Sequence, residues 1–171
     1  MNKKLGFIAI LCVVLVLVAW NLATTPQERS LYYQEYTPLE HYPAYYYANF
    51  SVASSDINAE LWFDIHIDTK FGYPGPNCSV LWALYELPLQ QFEETFNLTE
   101  ANDAMSTNSW KPQDFGAVWA GWFFGGYYPQ DWNPITSGDY VLIFWVRNYE
   151  PTAGWSATLA VSLRTRFLQF S

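Results

Sequence analysis

From Leu5 to Trp20 the chain carries no charged side chain and scarcely a polar atom. With Asn21, Leu22 and Ala23 the run covers residues 5–23, close to the ~20 residues a helix needs to cross the hydrocarbon core of a bilayer. In lipid the backbone N–H and C=O groups must be satisfied within the segment, and an α-helix does this. Lys3 and Lys4 precede the run and Trp20 closes it. Those flanks suit a helix whose N-terminus stays in the cytoplasm and whose far end lies at the membrane–water interface.

Removal of the segment needs a processing site, and the sequence offers poor ones. A signal peptidase wants small residues at −3 and −1. Cleavage after Ala23 puts Asn21 at −3, and cleavage after Ala19 puts Leu17 there. A prepilin-type cut after Gly6 leaves Phe7 first, but no acidic residue follows in the helix. The expectation is an uncleaved anchor, with a cleaved signal and a pilin-like fate as alternatives. The expected layout is a cytoplasmic tip at 1–4, a transmembrane helix or signal anchor at 5–23, a Tyr- and Pro-containing tether at 24–44, and an extracytoplasmic domain at 45–171.

All 16 acidic residues follow the apolar run and only six of the eight basic ones do, so the displayed part carries 6 − 16 = −10. A surface of that sign repels phosphate backbones, and no nucleic-acid partner is expected. Cys12 lies in the apolar run and Cys78 beyond it. If the run spans the bilayer the two cannot meet, and Cys78 is expected to be buried.

Beyond the tether the pattern is strands and turns. In Ala59–Asp68 the residues Ala59, Leu61, Phe63, Ile65 and Ile67 share one face, and Glu60, Trp62, Asp64, His66 and Asp68 the other. That alternation predicts a half-buried strand. Ser79 to Leu87 is apolar on both faces, as a central strand is. Pro88 to Phe96 predicts a short helix with Leu89, Phe92 and Phe96 on one stripe, and Asn97 to Gln113 a loop. Gly116 to Tyr128 reads as one or two irregular strands, Tyr140 to Val146 as a buried strand, and Trp155 to Phe167 as a closing strand with alternate residues inward. The fold class is all-β: an antiparallel sandwich of jelly-roll or GOLD-like type with one short helix, preceded by the transmembrane helix.

The stretch Thr136-Ser137-Gly138-Asp139-Tyr140-Val141-Leu142-Ile143-Phe144-Trp145-Val146-Arg147-Asn148, followed after a loop by Ala157 to Leu163, resembles the last hairpin of GOLD-type domains, the lumenal β-sandwiches of emp24-like cargo proteins. Ile57 to Ile65 is similar to an early strand of that family. The resemblance covers about a third of the chain and implies the sandwich fold. The family's paired cysteines are missing and its membrane helix lies at the other terminus, so a cargo function is not carried over.

No catalytic constellation emerges. His41 and His66 are the only histidines, and neither a nucleophile elbow nor a zinc-binding helix motif occurs. The expectation is a protein that is not an enzyme and holds no cofactor. Asp64, His66 and Asp68 share one strand face and are weak candidates for a cation site, lacking an evident fourth ligand. Trp62, Trp110, Tyr127, Tyr128 and Trp132 are candidates for an aromatic platform that stacks on sugar rings. Asn49, Asn77 and Asn97 begin Asn-x-Ser/Thr acceptors for glycosylation. The functional expectation is a membrane-anchored, non-enzymatic binding or interaction module whose partners are the bilayer and a protein or glycan at the cell surface. The alternatives are a self-associating surface component (pilin-like or surface-layer-associated) and a carbohydrate-binding module. Oligomeric state is left open.

Overall fold

The structure, a computed structural model, describes residues 3–37, 45–68, 79–101, 116–124, 127–129, 131–147 and 156–167. Helix α1 (Lys3–Thr24) leads into strands β1 (Gln27–Tyr36), β2 (Tyr46–Val52), β3 (Glu60–Asp68) and β4 (Ser79–Glu86). Helix α2 (Leu89–Thr95) follows, then β5 (Ala117–Phe124), β6 (Tyr127–Pro129), β7 (Asn133–Pro134), β8 (Gly138–Arg147) and β9 (Ser156–Thr165).

The strands form two antiparallel sheets, one ordered β1-β9-β3-β6 with β7 also paired to β3, the other β2-β8-β4-β5. With the two-residue β7 set aside, the chain changes sheet at every connection except β4–β5. This is the winding of a jelly roll, and the expected antiparallel sandwich is found.

Period two decides which face each strand buries. In β3, Leu61, Phe63, Ile65 and Ile67 are buried, and β9 buries Ala157, Leu159, Val161 and Leu163. They pack against Phe50, Trp82, Leu84, Leu142 and Phe144 of the opposite sheet. The Phe63 and Trp82 rings meet edge to face at 4.9 Å, a favoured aromatic geometry. Strands β4 and β8 are buried on both faces, as their unbroken apolar sequences predict. Their outer residues Leu81, Tyr85, Val141, Ile143 and Trp145 form a second core with Phe92 of α2. Phe92 and Phe96 stack at 4.8 Å on the predicted stripe of α2, and Phe96 reaches Trp145 at 6.2 Å.

Three expectations are corrected. The segment read as a tether contains β1, nine residues of which pair with β9. Its alternation is hidden by a bulge between Ser30 and Tyr32, which turns the successive residues Leu31 and Tyr32 toward the core; an extra residue in one strand shifts the phase of its side chains. Tyr32 and Tyr36 instead pack against the core beside β2, while Tyr33 is exposed and Tyr42 lies outside the described residues. The Tyr36 hydroxyl donates to the Tyr47 carbonyl at 3.0 Å, and its ring lies 4.6 Å from that of Tyr46. Burial, with the Tyr32 hydroxyl alongside, raises the Tyr36 pKa far above the ordinary phenol value.

Second, the expected last hairpin is not one. β8 lies in the β2-β8-β4-β5 sheet and β9 in the other, because β8 is covered on both faces and β9 on one. Third, the polar stretch from Asn97 opens with a helical turn at 98–101, capped by Asn97 Oδ1 accepting from the Glu100 N–H at 3.1 Å. The rest of that stretch, through 115, lies outside the described residues.

In α1 the side chains are described for Ile8 and from Ile10 to Thr24. Among the described residues no helix is long and apolar enough to cross a membrane. The spanning expectation therefore rests on the sequence from Leu5 to Ala23 and not on the described part of the helix. Cys12 is a free, exposed thiol, while Cys78 lies outside the described residues.

The winding sorts the connections. Gln27 faces Thr165, Glu60 faces Arg164, Val52 faces Gly138 and Tyr140 faces Glu86. The starts of β1, β3, β5 and β8 and the ends of β2, β4, β6 and β9 thus share one end of the sandwich, its base, where α1 enters. The ends of β1, β3, β5 and β8 and the starts of β2, β4, β6 and β9 share the opposite end.

Candidate binding surface

The outer face of the β1-β9-β3-β6 sheet presents the polar alternates of β3: Glu60, Trp62, Asp64, His66 and Asp68, all partly or fully exposed. It is the face the alternation predicted. Trp132 arrives from the segment before β7, its ring centroid 6.3 Å from that of Trp62 with planes inclined at 33°. Two members of the expected aromatic platform are therefore neighbours. Tyr127 and Tyr128 sit opposite His66 and Ile65 in the β3–β6 register, with side chains outside the described set, and Trp110 lies outside the described residues.

One face of Trp132 is engaged by Arg164, whose Cζ lies 4.4 Å from the ring centroid. Such cation–π contacts gain as water is excluded. The same guanidinium grips Glu60: Arg164 Nε and Nη2 both lie 2.7 Å from Glu60 Oε2. Arg166 Nη2 is farther away, at 3.7 Å. Glu60 and Arg164 are only 14% and 17% exposed, so this pair pins the segment carrying Trp132 onto the sheet. Sequence reading missed it. Both residues fall on outward positions of their strands, but the register that sets them side by side has no signature in either strand alone.

Asp64 is flanked across the sheet by Ala160 and Pro129. Neither neighbouring side chain brings a polar group, and Asp64 Oδ1 is buried with no hydrogen-bond partner. Burial raises its pKa above the usual carboxylate value, and the nearby His66 partly opposes this. A half-buried acceptor between Trp62 and His66 has the chemistry to take a hydrogen bond from a hydroxyl laid on the tryptophan. His66 Nε2 lies 3.0 Å from Asp68 Oδ1. Among the described residues no group of three or more His, Cys, Asp or Glu side chains gathers to hold a metal ion. Asp64, His66 and Asp68 therefore share a face without converging on a point.

Of the glycosylation candidates, Asn49 is exposed on the edge strand β2, and its acceptor triplet ends at Ser51, whose hydroxyl bonds Asp139 at 2.6 Å. Asn97 is exposed and caps the 98–101 turn. Asn77 lies outside the described residues.

At the base, a crevice of about 380 Å³ opens between the β2–β3 connection and residues 134–137, lined by Ser54, Asp56, Asn58, Glu60 and Thr136 among others. Its carboxylates are committed: Asp56 pairs with Arg29 at 2.6 Å and Glu60 with Arg164.

No protein-family model matches the chain, and no curated protein matches it. Among solved structures, a chain of tomato aspermy virus is similar with 10% identity and a TM-score of 0.34, over 87% of this chain and 80% of that one. A carbohydrate-binding module, CBM36, in complex with calcium and xylotriose is 9% identical with a TM-score of 0.31, over 82% of this chain and 99% of that one. The CBM36-1 domain of a multidomain xylanase from the hindgut metagenome of Trinervitermes trinervoides is 6% identical with a TM-score of 0.33, over 82% and 96%. Similarities of this order bear on neither ligand nor function.

Proposed function

We propose that this chain is a membrane-anchored extracytoplasmic jelly-roll domain that works as a non-enzymatic interaction module. The observation that carries the reading is the uncharged run from Leu5 to Ala23, all of it within the 22-residue helix α1. Its described apolar side chains are exposed on every side, among them Leu11 at 49%, Val16 at 66% and Leu17 at 62%. An uncharged run of this length, apolar on every side where its side chains are described, suits lipid. The interaction surface is the outer face that carries Trp62 and Trp132. The test is alkaline extraction of membranes from cells making the full chain or a chain lacking residues 1–24, with protease added to intact cells. The full chain is expected to stay in the membrane pellet with its domain accessible to protease, and the truncated chain to be released. A full chain extracted into solution, or a mature N-terminus beyond Ala23, overturns the anchor.

The second reading, a self-associating surface component, is favoured by β5. This eight-residue edge strand of the β2-β8-β4-β5 sheet carries no charge, and its Val118 and Trp122 are 42% and 57% exposed. Natural sheet edges are more often guarded by charge, as β1 is by Glu28, Arg29 and Glu35. Sedimentation of a Val118→Lys variant in detergent checks it: dissociation of an oligomer supports self-association, and an unchanged monomer removes it.

A further inference from the structure

The base of the sandwich is joined to α1 by a very short link. Only Thr25 and Pro26 separate Thr24, the last helical residue, from Gln27 at the start of β1. Three peptide units reach at most about 11 Å. The link is also stiff. The Thr25 N–H and hydroxyl both donate to the Asn21 carbonyl, at 2.9 and 2.7 Å, and the Thr24 hydroxyl donates to the Trp20 carbonyl at 2.9 Å. These bonds satisfy carbonyls that a helix end otherwise leaves open, and Pro26 fixes its own φ.

Beside this junction lie two large apolar side chains that the fold does not bury. Ile57, in the β2–β3 connection, is 50% exposed, and Phe167, just past β9, is 70% exposed. Leu22 of α1, Ile57 and Phe167 line one crevice of about 200 Å³ together with Thr25 and Arg166. Ile57 and Phe167 are held by ordered backbone: the Arg166 N–H donates to the Ile57 carbonyl at 3.3 Å, and Asn58 Nδ2 donates to the Arg166 carbonyl at 3.1 Å. Asn58 itself takes the left-handed φ of 49°, which asparagine tolerates better than most residues.

Charge at the base is mixed. Three of the six basic residues beyond the apolar run, Arg29, Arg164 and Arg166, sit here. Of the acids at the base, Asp56 pairs with Arg29 and Glu60 with Arg164, while Glu28, Glu86 and Asp139 remain exposed, so the apolar side chains and not charge carry the docking. Arg166, with its Nη2 3.7 Å from Glu60, keeps the loosest hold of the three.

We propose that the base is a bilayer-docking face, with Ile57 and Phe167 seated among lipid headgroups next to Trp20 and Arg166 turned toward lipid phosphate. The domain then stands on the membrane as a rigid continuation of α1. The proposal rests on the anchor reading. If α1 crosses a bilayer and ends near Trp20, the last helical turn and this short link keep the base within about 17 Å of the hydrocarbon edge, close to the headgroup layer.

The test uses the full chain with Cys12 and Cys78 replaced by Ser, reconstituted into nanodiscs holding one copy each. Single cysteines at Ile57, Phe167, Val16 and Glu35, the last near the far end of β1, carry an environment-sensitive fluorophore, and the lipids carry spin-label quenchers. Blue-shifted, quenched labels at Ile57 and Phe167, with a water-like unquenched label at Glu35, are expected. Water-like labels at Ile57 and Phe167 with a quenched label at Val16 overturn the docking and leave the anchor standing. An unquenched Val16 label overturns both. Exchange of Ile57 and Phe167 for Ser, at positions the fold leaves exposed, is expected to make the Thr25–Pro26 junction more sensitive to protease in the nanodisc. An unchanged cleavage rate overturns the docking.

Discussion

The two sheets of this sandwich solve the same burial problem differently. In the β2-β8-β4-β5 sheet, the two central strands are apolar on both faces, and β4 buries six of its eight residues. The chain supplies the outer cover itself, folding α2 and the 98–101 turn back over Tyr85 and Trp145. In the other sheet β3 and β9 bury every second residue. Their outward positions hold Trp62, Asp64 and Arg164, and no described helix covers them. The central strands of one sheet have both faces in the core; the other sheet leaves one face open. Two tryptophans mark the contrast, since Trp145 is fully buried and Trp62 is partly exposed, each on the outer side of its sheet.

The sharpest way to break this comparison is to truncate both. Trp145→Ala is expected to lose about 3–5 kcal/mol of stability, the range for large aromatic deletions in a packed site, and to loosen α2. Trp62→Ala is expected to lose about 1 kcal/mol, because the ring is only partly removed from water. Denaturant unfolding of the two variants checks this, and equal losses would mean that the outer face of β3 is core rather than surface. Glu60→Ala comes next. It leaves Arg164 and Arg166 without their carboxylate and unpins Trp132, for a loss of about 2 kcal/mol, typical of a hydrogen bond to a charged group. A red shift of tryptophan emission is the accompanying sign. Gly121→Ala tests the covered sheet from its edge. A Cβ at this position would lie 2.9 Å from Cζ2 of the buried Trp82, so an expected loss of about 1–2 kcal/mol reflects overpacking.

Much of the contrast was legible in the sequence. The alternation of Ala59–Asp68 and of Ala157–Leu163 gave two strands with their inner and outer faces, and the unbroken apolar runs of β4 and β8 placed them centrally. Leu89, Phe92 and Phe96 marked the covering helix. What escaped was whatever depends on pairing. β1 was invisible because its bulge puts Leu31 and Tyr32 successively inward, so the period fails where the strand is most informative. The separation of β8 from β9 into different sheets was hidden because chain neighbours are usually spatial neighbours. Of the expected platform, Trp62 and Trp132 are adjacent, but the arginine stacked on Trp132 comes from β9, some thirty residues on.

The smallest effect concerns the charge on the open face. Asp64 has one carboxylate oxygen buried without a partner, and burial raises its pKa in the folded protein, with His66 opposing. The folded chain therefore holds this proton more tightly than the unfolded chain does. For an acid shifted upward, the linkage sign is that stability falls as pH rises through the window above the ordinary carboxylate value, up to the raised folded one. Above that window an ionised Asp64 is a standing cost; below it, the cost is absent. Asp64→Asn keeps the shape and removes the charge. At neutral pH it is expected to stabilise the domain by a few tenths of a kcal/mol, a size usual for surface changes, since Asp64 is only partly buried. Unfolding midpoints measured from pH 7 downward should converge as the wild-type carboxyl takes up its proton. Parallel curves would mean that Asp64 is solvated in solution, and that the open face is wetter than its neighbours Ala160 and Pro129 imply.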